Sequence, residues 1–301
     1  MIKLFSPTIV MLVVLASTVC LMSLAQASEK PHGAAFVIQS HRGAGNLAPE
    51  NTLESFKLAW KIGTVPEADV RATTDGVIVA FHDNDLKRLA PNADPDIKSK
   101  SVNDLSWAVA SKLDVGEYKG AQFKGQHIPK IEDVFDAMKG HPERWLYLDV
   151  KLVPLEKMAQ LARERGIEKQ LILASTKYEH LREWKRLLPT SKTLLWMGEK
   201  EPRLRERMEE LRKTNFADIT QLQIHVRVPQ LTAADPFDPT SAFLTSVRDE
   251  IIPKGILFQV LVIGTDSPMA YQKLMDLGVQ SFATDDPLVT LNVMRQHEGS
   301  K

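Results

Sequence analysis

Glu67-Ala68-Asp69-Val70-Arg71-Ala72-Thr73-Thr74-Asp75-Gly76-Val77-Ile78-Val79-Ala80-Phe81-His82 is the stretch on which the fold turns. Too few residues separate Glu67 to Arg71 from Val77 to His82 for a helical crossover, so the two runs form an antiparallel hairpin turning at Asp75-Gly76. Its start and end then lie side by side, which brings Glu67 close to His82. On either side of the hairpin, short apolar runs alternate with amphipathic stretches. The runs are Ala34 to Ser40, Trp145 to Val150, Gln170 to Ala174, Thr193 to Met197, Gln221 to Val228, Ile256 to Ile263 and Val279 to Ala283. Stretches with apolar residues three or four apart predict helices over Thr52 to Ile62, Leu155 to Arg165, His180 to Leu188, Arg203 to Lys213 and Met269 to Leu277. Strand alternating with helix predicts a parallel sheet. If Gly63 to Arg71 is a barrel strand and Val77 to His82 lies outside the cylinder, eight strands remain, the number a (β/α)8 TIM barrel needs. Pro66 removes a ladder donor in or beside the second strand, and an open doubly wound sheet is the competing architecture.

The chain has 301 residues with 38 basic and 38 acidic side chains. This balance lacks the basic surplus of a phosphate-coating nucleic-acid binder, so no nucleic-acid partner is expected and any phosphate recognition is local. Residues 1–27 read as a signal peptide: Lys3 gives a positive start, Ile9 to Ala16 is apolar, and Ala25-Gln26-Ala27 has the small-x-small form of a cleavage site. The alternative is a membrane anchor, but Ser17, Thr18 and Ser23 dilute an apolar stretch of marginal length. Cleavage would leave one domain over 28–301 with no stable membrane span, in an exported, periplasmic or secreted protein. Cys20 is the single cysteine, so the mature chain has no disulfide, cysteine metal site or thiol nucleophile. The Ser17-Thr18-Val19 before it lacks the usual pattern for a lipid anchor.

Glu67 and Asp69, two apart on a strand, leave one face together. Two carboxylates so placed repel unless a cation or proton compensates, and an all-oxygen pair suits calcium or magnesium. Asp149 ends the run Trp145 to Val150, at the strand end where barrel active sites collect. A solvated strand face is the plain alternative for the acidic pair. His41 and His82 each end a strand at the same rim, where imidazoles can exchange protons near neutrality. Arg42 and Lys151 can hold phosphate oxygens, or serve as surface ion-pair partners. Gly43 and Gly45 could let the chain approach a ligand closely.

The run His41-Arg42-Gly43-Ala44-Gly45-Asn46-Leu47-Ala48-Pro49-Glu50-Asn51-Thr52 resembles the opening signature of the glycerophosphodiester phosphodiesterase family, HRG, a gap, then PENT. Glu67-x-Asp69-Val70, Thr74-Asp75-Gly76 and His82-Asp83 resemble its E-x-D-V, T-x-D-G and HD in order. Leu113-Asp114-Val115-Gly116, Ile128-Pro129-Lys130-Ile131-Glu132, Leu277-Gly278-Val279 and Thr284-Asp285 resemble later motifs, with thin matching from about 155 to 265. The resemblance implies a phospholipase-C-like (β/α)8 barrel with a short hairpin after its second strand. It also implies one divalent cation, calcium or magnesium, on Glu67, Asp69 and Asp149, with His41 and His82 as acid and base and Arg42 and Lys151 on the phosphate. Glu50 and Asn51 fall in bracing positions. Two departures stand out: Asp149 replaces the usual glutamate of E-x-K, and Gly264 and Asp266 stand where the family tends to show Trp and Asn.

The implied activity is hydrolysis of a small-molecule glycerophosphodiester to glycerol 3-phosphate and an alcohol, the neighbouring glycerol hydroxyl attacking phosphorus before water opens the cyclic product. A related enzyme cleaving phospholipids or lysophospholipids is the first rival; it requires an apolar entrance, for which Leu231 to Leu244, with Pro236, Phe237 and Phe243, is the candidate. A periplasmic binding protein that lost catalysis is the second.

Overall fold

The structure, a computed structural model, describes residues 37–299. The signal segment, Cys20 and the beginning of the first expected strand lie outside the described residues. Among the described residues no helix is long and apolar enough to cross a membrane.

In chain order the elements are β1 (Val37–Ser40), α1 (Leu53–Ile62), β2 (Val65–Ala72), β3 (Ile78–Ala80), α2 (Trp107–Ala110), α3 (Ile131–Met138), β4 (Leu146–Leu152), α4 (Leu155–Arg165), β5 (Leu171–Ser175) and α5 (Tyr178–Leu187). There follow β6 (Lys192–Met197), α6 (Glu201–Lys213), β7 (Gln221–Arg227), α7 (Ser241–Ile251), β8 (Leu257–Ile263), α8 (Pro268–Asp276), β9 (Ser281–Thr284) and α9 (Pro287–Gly299). The parallel order runs β1-β9-β8-β7-β6-β5-β4-β2, and β1 pairs back onto β2. This closes eight parallel strands into a barrel and overturns the open-sheet alternative. β3 is the extra strand, antiparallel to β2 with Val70 opposite Ala80 and Ala72 opposite Ile78. The hairpin is therefore as expected, with Gly76 at φ 75° in its turn. Pro66 sits opposite Ser40 in the two-rung contact between β1 and β2, where little ladder is lost.

Local chemistry sets the helix ends. Thr52 caps α1 by accepting from the Ser55 N–H, and Gly63 ends it in the left-handed conformation, its N–H bonded to Ala59 and Trp60 carbonyls. Helices α2, α3, α7 and α9 lie outside the stretches predicted as helical. Helix α3 supplies the crossover from β2 to β4 that the hairpin postpones. The intervening chain carries a small core of its own, in which Val79, Phe81, Leu86, Leu89, Val102 and Ile128 pack on the outer face of β3.

Even-numbered residues of β4 and β7, such as Leu146, Leu148, Leu222 and Ile224, are buried in the main core that the helices cover. The odd-numbered residues face the barrel interior, and several are polar. Tyr147 Oη donates to Gln221 Oε1 at 2.8 Å, and Gln259 donates to Ser281 Oγ at 2.8 Å. Gln223 donates to Gln259 Oε1 at 2.6 Å and to Gln39 Oε1 at 3.3 Å. Each amide has partners, so this buried polar layer escapes the penalty of unpaired groups. It explains why β7 reads Gln-Leu-Gln-Ile-His-Val-Arg rather than as the unbroken apolar run of most parallel sheets.

Candidate active site

All seven residues singled out from the sequence line one pocket at the C-terminal mouth of the barrel. Glu67 and Asp69 do share a face, and both are buried. Asp69 lies directly beside Asp149 in the β2–β4 pairing, so closure of the barrel places the third carboxylate next to the first two. The ladder slips between Val70 and Arg71, leaving Lys151 as the extra residue of a bulge. The Lys151 ammonium lies 2.5 Å from Asp149 Oδ2 and 3.3 Å from Asp69 Oδ1.

Glu67, Asp69 and Asp149 each offer an oxygen, and these atoms lie within 4.8 Å of one another. The shorter Asp149 side chain therefore reaches the cluster. Burial pushes the Asp149 carboxyl up to about 7 against the pull of Lys151, with repulsion from Glu67 and Asp69 adding to the rise. Burial likewise raises Glu67. Asp69 is held below the usual carboxylate range despite its burial, chiefly by Lys151, then by His82, Arg42 and the Asn51 hydrogen bond. Of the adjacent aspartates, Asp69 thus keeps its charge and Asp149 takes a proton more readily. An all-oxygen set this short of compensating charge suits a hard divalent cation.

Each histidine has its Nδ1 on an aspartate. His41 Nδ1 lies 2.7 Å from Asp285 Oδ1, and His82 Nδ1 lies 2.8 Å from Asp83 Oδ1. These carboxylates fix Nδ1 as the protonated nitrogen of the neutral ring and leave Nε2 for proton exchange. His41 Nε2 is 3.8 Å from Glu67 Oε2. Burial opposes charge on His41, but the Glu67 carboxylate and the Asp285 bond outweigh it and raise its pKa to about 9. The hairpin ladder continues through the Phe81 N–H to the Asp69 carbonyl, which seats His82 beside Asp69, slightly further along β2 than its expected neighbour Glu67.

Arg42 adopts φ 54° and donates through Nη1 to Glu50 Oε1 at 3.1 Å, while its buried Nε has no hydrogen-bond partner. A buried guanidinium nitrogen without a partner is a donor available to an anion. Asn51, also left-handed at φ 56°, bonds Asp69 twice: it donates to Oδ2 at 2.9 Å and accepts from the backbone N–H at 2.9 Å. Glu50 thus braces Arg42 as expected, whereas the Asn51 side chain, expected to brace the loop and Arg42, holds Asp69 of the acidic cluster.

Two expectations are corrected. Gly43 and Gly45 approach the protein itself rather than a ligand: a Cβ on Gly43 would lie 2.3 Å from Ser55 Oγ, and one on Gly45 2.1 Å from the Asp285 carbonyl oxygen. Pro236, Phe237 and Phe243 are buried, the phenylalanines within the main core, so this stretch forms no apolar entrance. Gly264, Thr265 and Asp266 do line the pocket, as the departure at that position anticipated.

Sequence reasoning missed Asp285 as the partner of His41, although the Thr284-Asp285 motif was its signal. It also missed Trp196 and His225, whose rings stack at 5.0 Å with 4° between their planes. Trp196 donates to Asp149 Oδ1 at 3.3 Å. Burial, aided by the nearby His41 and Arg227, pushes His225 down to about 4, so this imidazole is neutral. No motif marked either residue.

The chain is 30% identical over 160 residues to a glycerophosphodiester phosphodiesterase of Caldanaerobacter subterraneus, a match covering 51% of this chain and 63% of that protein. It is 30% identical over 150 residues to the lysophospholipase D GDPD1 of Homo sapiens, covering 46% of this chain and 45% of that one. The chain thus spans less than two thirds of the length of these relatives. The fold matches a crystal structure of a putative glycerophosphodiester phosphodiesterase from Galdieria sulphuraria with a TM-score of 0.68 at 23% identity, covering 87% of this chain and 98% of that one. The model of the glycerophosphoryl diester phosphodiesterase family matches residues 41–289, from the first histidine of the site to the last helix, and the chain belongs to that family.

Proposed function

We propose that this chain is an exported, divalent-cation-dependent phosphodiesterase that hydrolyses small glycerophosphodiesters to glycerol 3-phosphate and an alcohol. The observation that carries the reading is the pair of aspartate-held imidazoles, His41 and His82, lining one pocket with three buried carboxylates and two cations. Glu67, Asp69 and Asp149 are the residues that would hold calcium or magnesium. When bound, the cation supplies positive charge to a phosphate oxygen and acidifies a neighbouring hydroxyl.

The chain's own residues do the rest. Arg42, whose Nε makes no hydrogen bond and lies 3.8 Å from Asp69 Oδ2, and Lys151 offset the charge that gathers on the phosphoryl oxygens. One histidine takes the proton of the attacking glycerol hydroxyl at Nε2 and the other gives a proton to the departing alcohol. When water opens the cyclic phosphate the two exchange roles. Asp83 and Asp285 keep each ring oriented through both steps.

The lysophospholipid reading is weakened by the burial of Phe237 and Phe243, which removes the one apolar entrance in view. Turnover of glycerophosphocholine and of lysophosphatidylcholine, with metal chelated and then restored as calcium or magnesium, tests the proposal. Metal-dependent hydrolysis of the first with little of the second is expected. Binding of the diester without hydrolysis under any divalent ion would leave a binding protein instead.

A further inference from the structure

Arg88 stands in the segment after β3, its side chain 46% exposed, and makes no hydrogen bond or ion pair with the two histidines, the three carboxylates of the cluster, Arg42 or Lys151. Its guanidinium nevertheless makes four hydrogen bonds to two carboxylates. Nη1 and Nη2 donate to Glu50 Oε2 and Oε1 at 2.5 and 2.8 Å. Nε and Nη2 donate to Asp83 Oδ2 and Oδ1 at 2.8 and 2.7 Å. Each carboxylate has a second partner across the pocket wall: Glu50 Oε1 accepts from Arg42 at 3.1 Å, and Asp83 Oδ1 holds His82 Nδ1 at 2.8 Å. Glu50, His82 and Asp83 are close enough together to suggest a second cation site, but Arg88 already engages both carboxylates.

We propose that Arg88 is a positioning residue that sets His82 and Arg42 relative to each other through Asp83 and Glu50. The inference rests on the two-histidine reading above. His82 and Arg42 come from different strand ends, the hairpin and the loop after β1, and no hydrogen bond joins them directly. A single exposed ion pair would fix little, since such pairs contribute about 0–1 kcal/mol. A planar fork that bonds two carboxylates with two N–H groups each is different, because it fixes the angle between them as well as their distance. Lysine cannot reproduce that angle with one point charge. Without the fork, Glu50 is free to swing fully onto Arg42, and Asp83 loses the contact that aims it at the imidazole. A displacement of about 1 Å in a proton-transferring group costs on the order of a hundredfold in rate.

The test is steady-state kinetics of the full chain on glycerophosphocholine with its divalent cation, together with 15N NMR of the His82 imidazole. Arg88→Met should lower kcat roughly 10–100-fold and raise KM severalfold, with an unchanged circular dichroism spectrum. Asp83→Asn should act mainly on kcat and Glu50→Gln mainly on KM, so that Arg88→Met combines the two effects. Arg88→Met in the Asp83→Asn background should lower kcat little further, since the two act as one unit. Arg88→Lys, which keeps the charge, should remain defective, whereas millimolar guanidinium should restore turnover to Arg88→Ala and methylammonium should not. The His82 Nδ1 resonance should shift in Arg88→Met. Values of kcat and KM both within twofold of wild type, full activity in Arg88→Lys, or an unmoved His82 resonance would each overturn the role. Wild-type turnover with an inactive His82→Ala preserves the two-histidine reading whatever Arg88 shows; an active His82→Ala removes both.

Discussion

Replacing Asn51 with Ala tests how the acidic cluster is held. Asn51 is 2% exposed and its amide closes both a donor and an acceptor bond with Asp69, each at 2.9 Å. Its loss strips a hydrogen bond from a buried carboxylate, worth about 1.5–3 kcal/mol, and leaves the Asp69 backbone N–H without that acceptor, a further cost of about 1–3 kcal/mol. Alanine at φ 56° adds roughly 1 kcal/mol of backbone strain. Water entering the vacated space returns part of this, so a net loss of about 3 kcal/mol is expected. Urea unfolding followed by circular dichroism measures it. Asn51→Asp separates the two bonds, because it keeps the acceptor for the Asp69 N–H and turns the donor into a second carboxylate facing Asp69. It should be no better than Asn51→Ala in the metal-free protein and should gain more from an added divalent cation. Since Asn51 orients a carboxylate of the candidate cation site, affinity for calcium or magnesium should fall about 10–100-fold in Asn51→Ala. An Asn51→Ala protein within 1 kcal/mol of wild type, with undiminished cation affinity, would refute the reasoning.

Further outcomes follow from the same geometry. Calcium or magnesium at a hundredfold excess over its Kd should raise the unfolding free energy of the wild type by about 2.7 kcal/mol and that of Glu67→Gln by much less, read by thermal melting. Gly45→Ala should cost about 2 kcal/mol or more and most of the turnover, because its Cβ would meet the Asp285 carbonyl oxygen at 2.1 Å and push apart the two loops that hold His41. A melt indistinguishable from wild type would count against that packing. For His225, whose pKa falls from 6.5 to about 4, the unfolded chain takes up the proton first as pH drops. Stability from this group is therefore full above pH 6.5 and lost between 6.5 and 4, an upper bound of about 3 kcal/mol at 1.36 kcal/mol per pH unit. His225→Phe, which keeps a ring against Trp196, should lose less stability than wild type between pH 7.5 and 4.5 in urea titrations; equal slopes would contradict a buried neutral imidazole.

Several parts of this protein were legible in the sequence because they depend on neighbours along the chain. The spacing of Glu67 and Asp69 fixes a shared face by the period of a strand, and the short link Thr73 to Gly76 forces the hairpin that carries His82 to the rim. The Thr52 cap and the glycine that ends α1 likewise mark that helix from the residues at hand. Other parts were decided by closure of the barrel. Asp285 meets His41 across 244 positions because β9 and β1 become neighbours, and Asp149 meets Asp69 because β4 lies against β2. The alternation in β7 shows that its two faces differ, but only closure determines that the glutamines point inward to one another and the aliphatic residues outward to the helices. Phe237 and Phe243 could have lined an entrance or filled a core with the same composition; tertiary packing, with Phe243 on the buried face of α7, placed them in the core. Local pattern constrains which side of an element a residue occupies, whereas its contacts across the protein depend on how all eight strands close together.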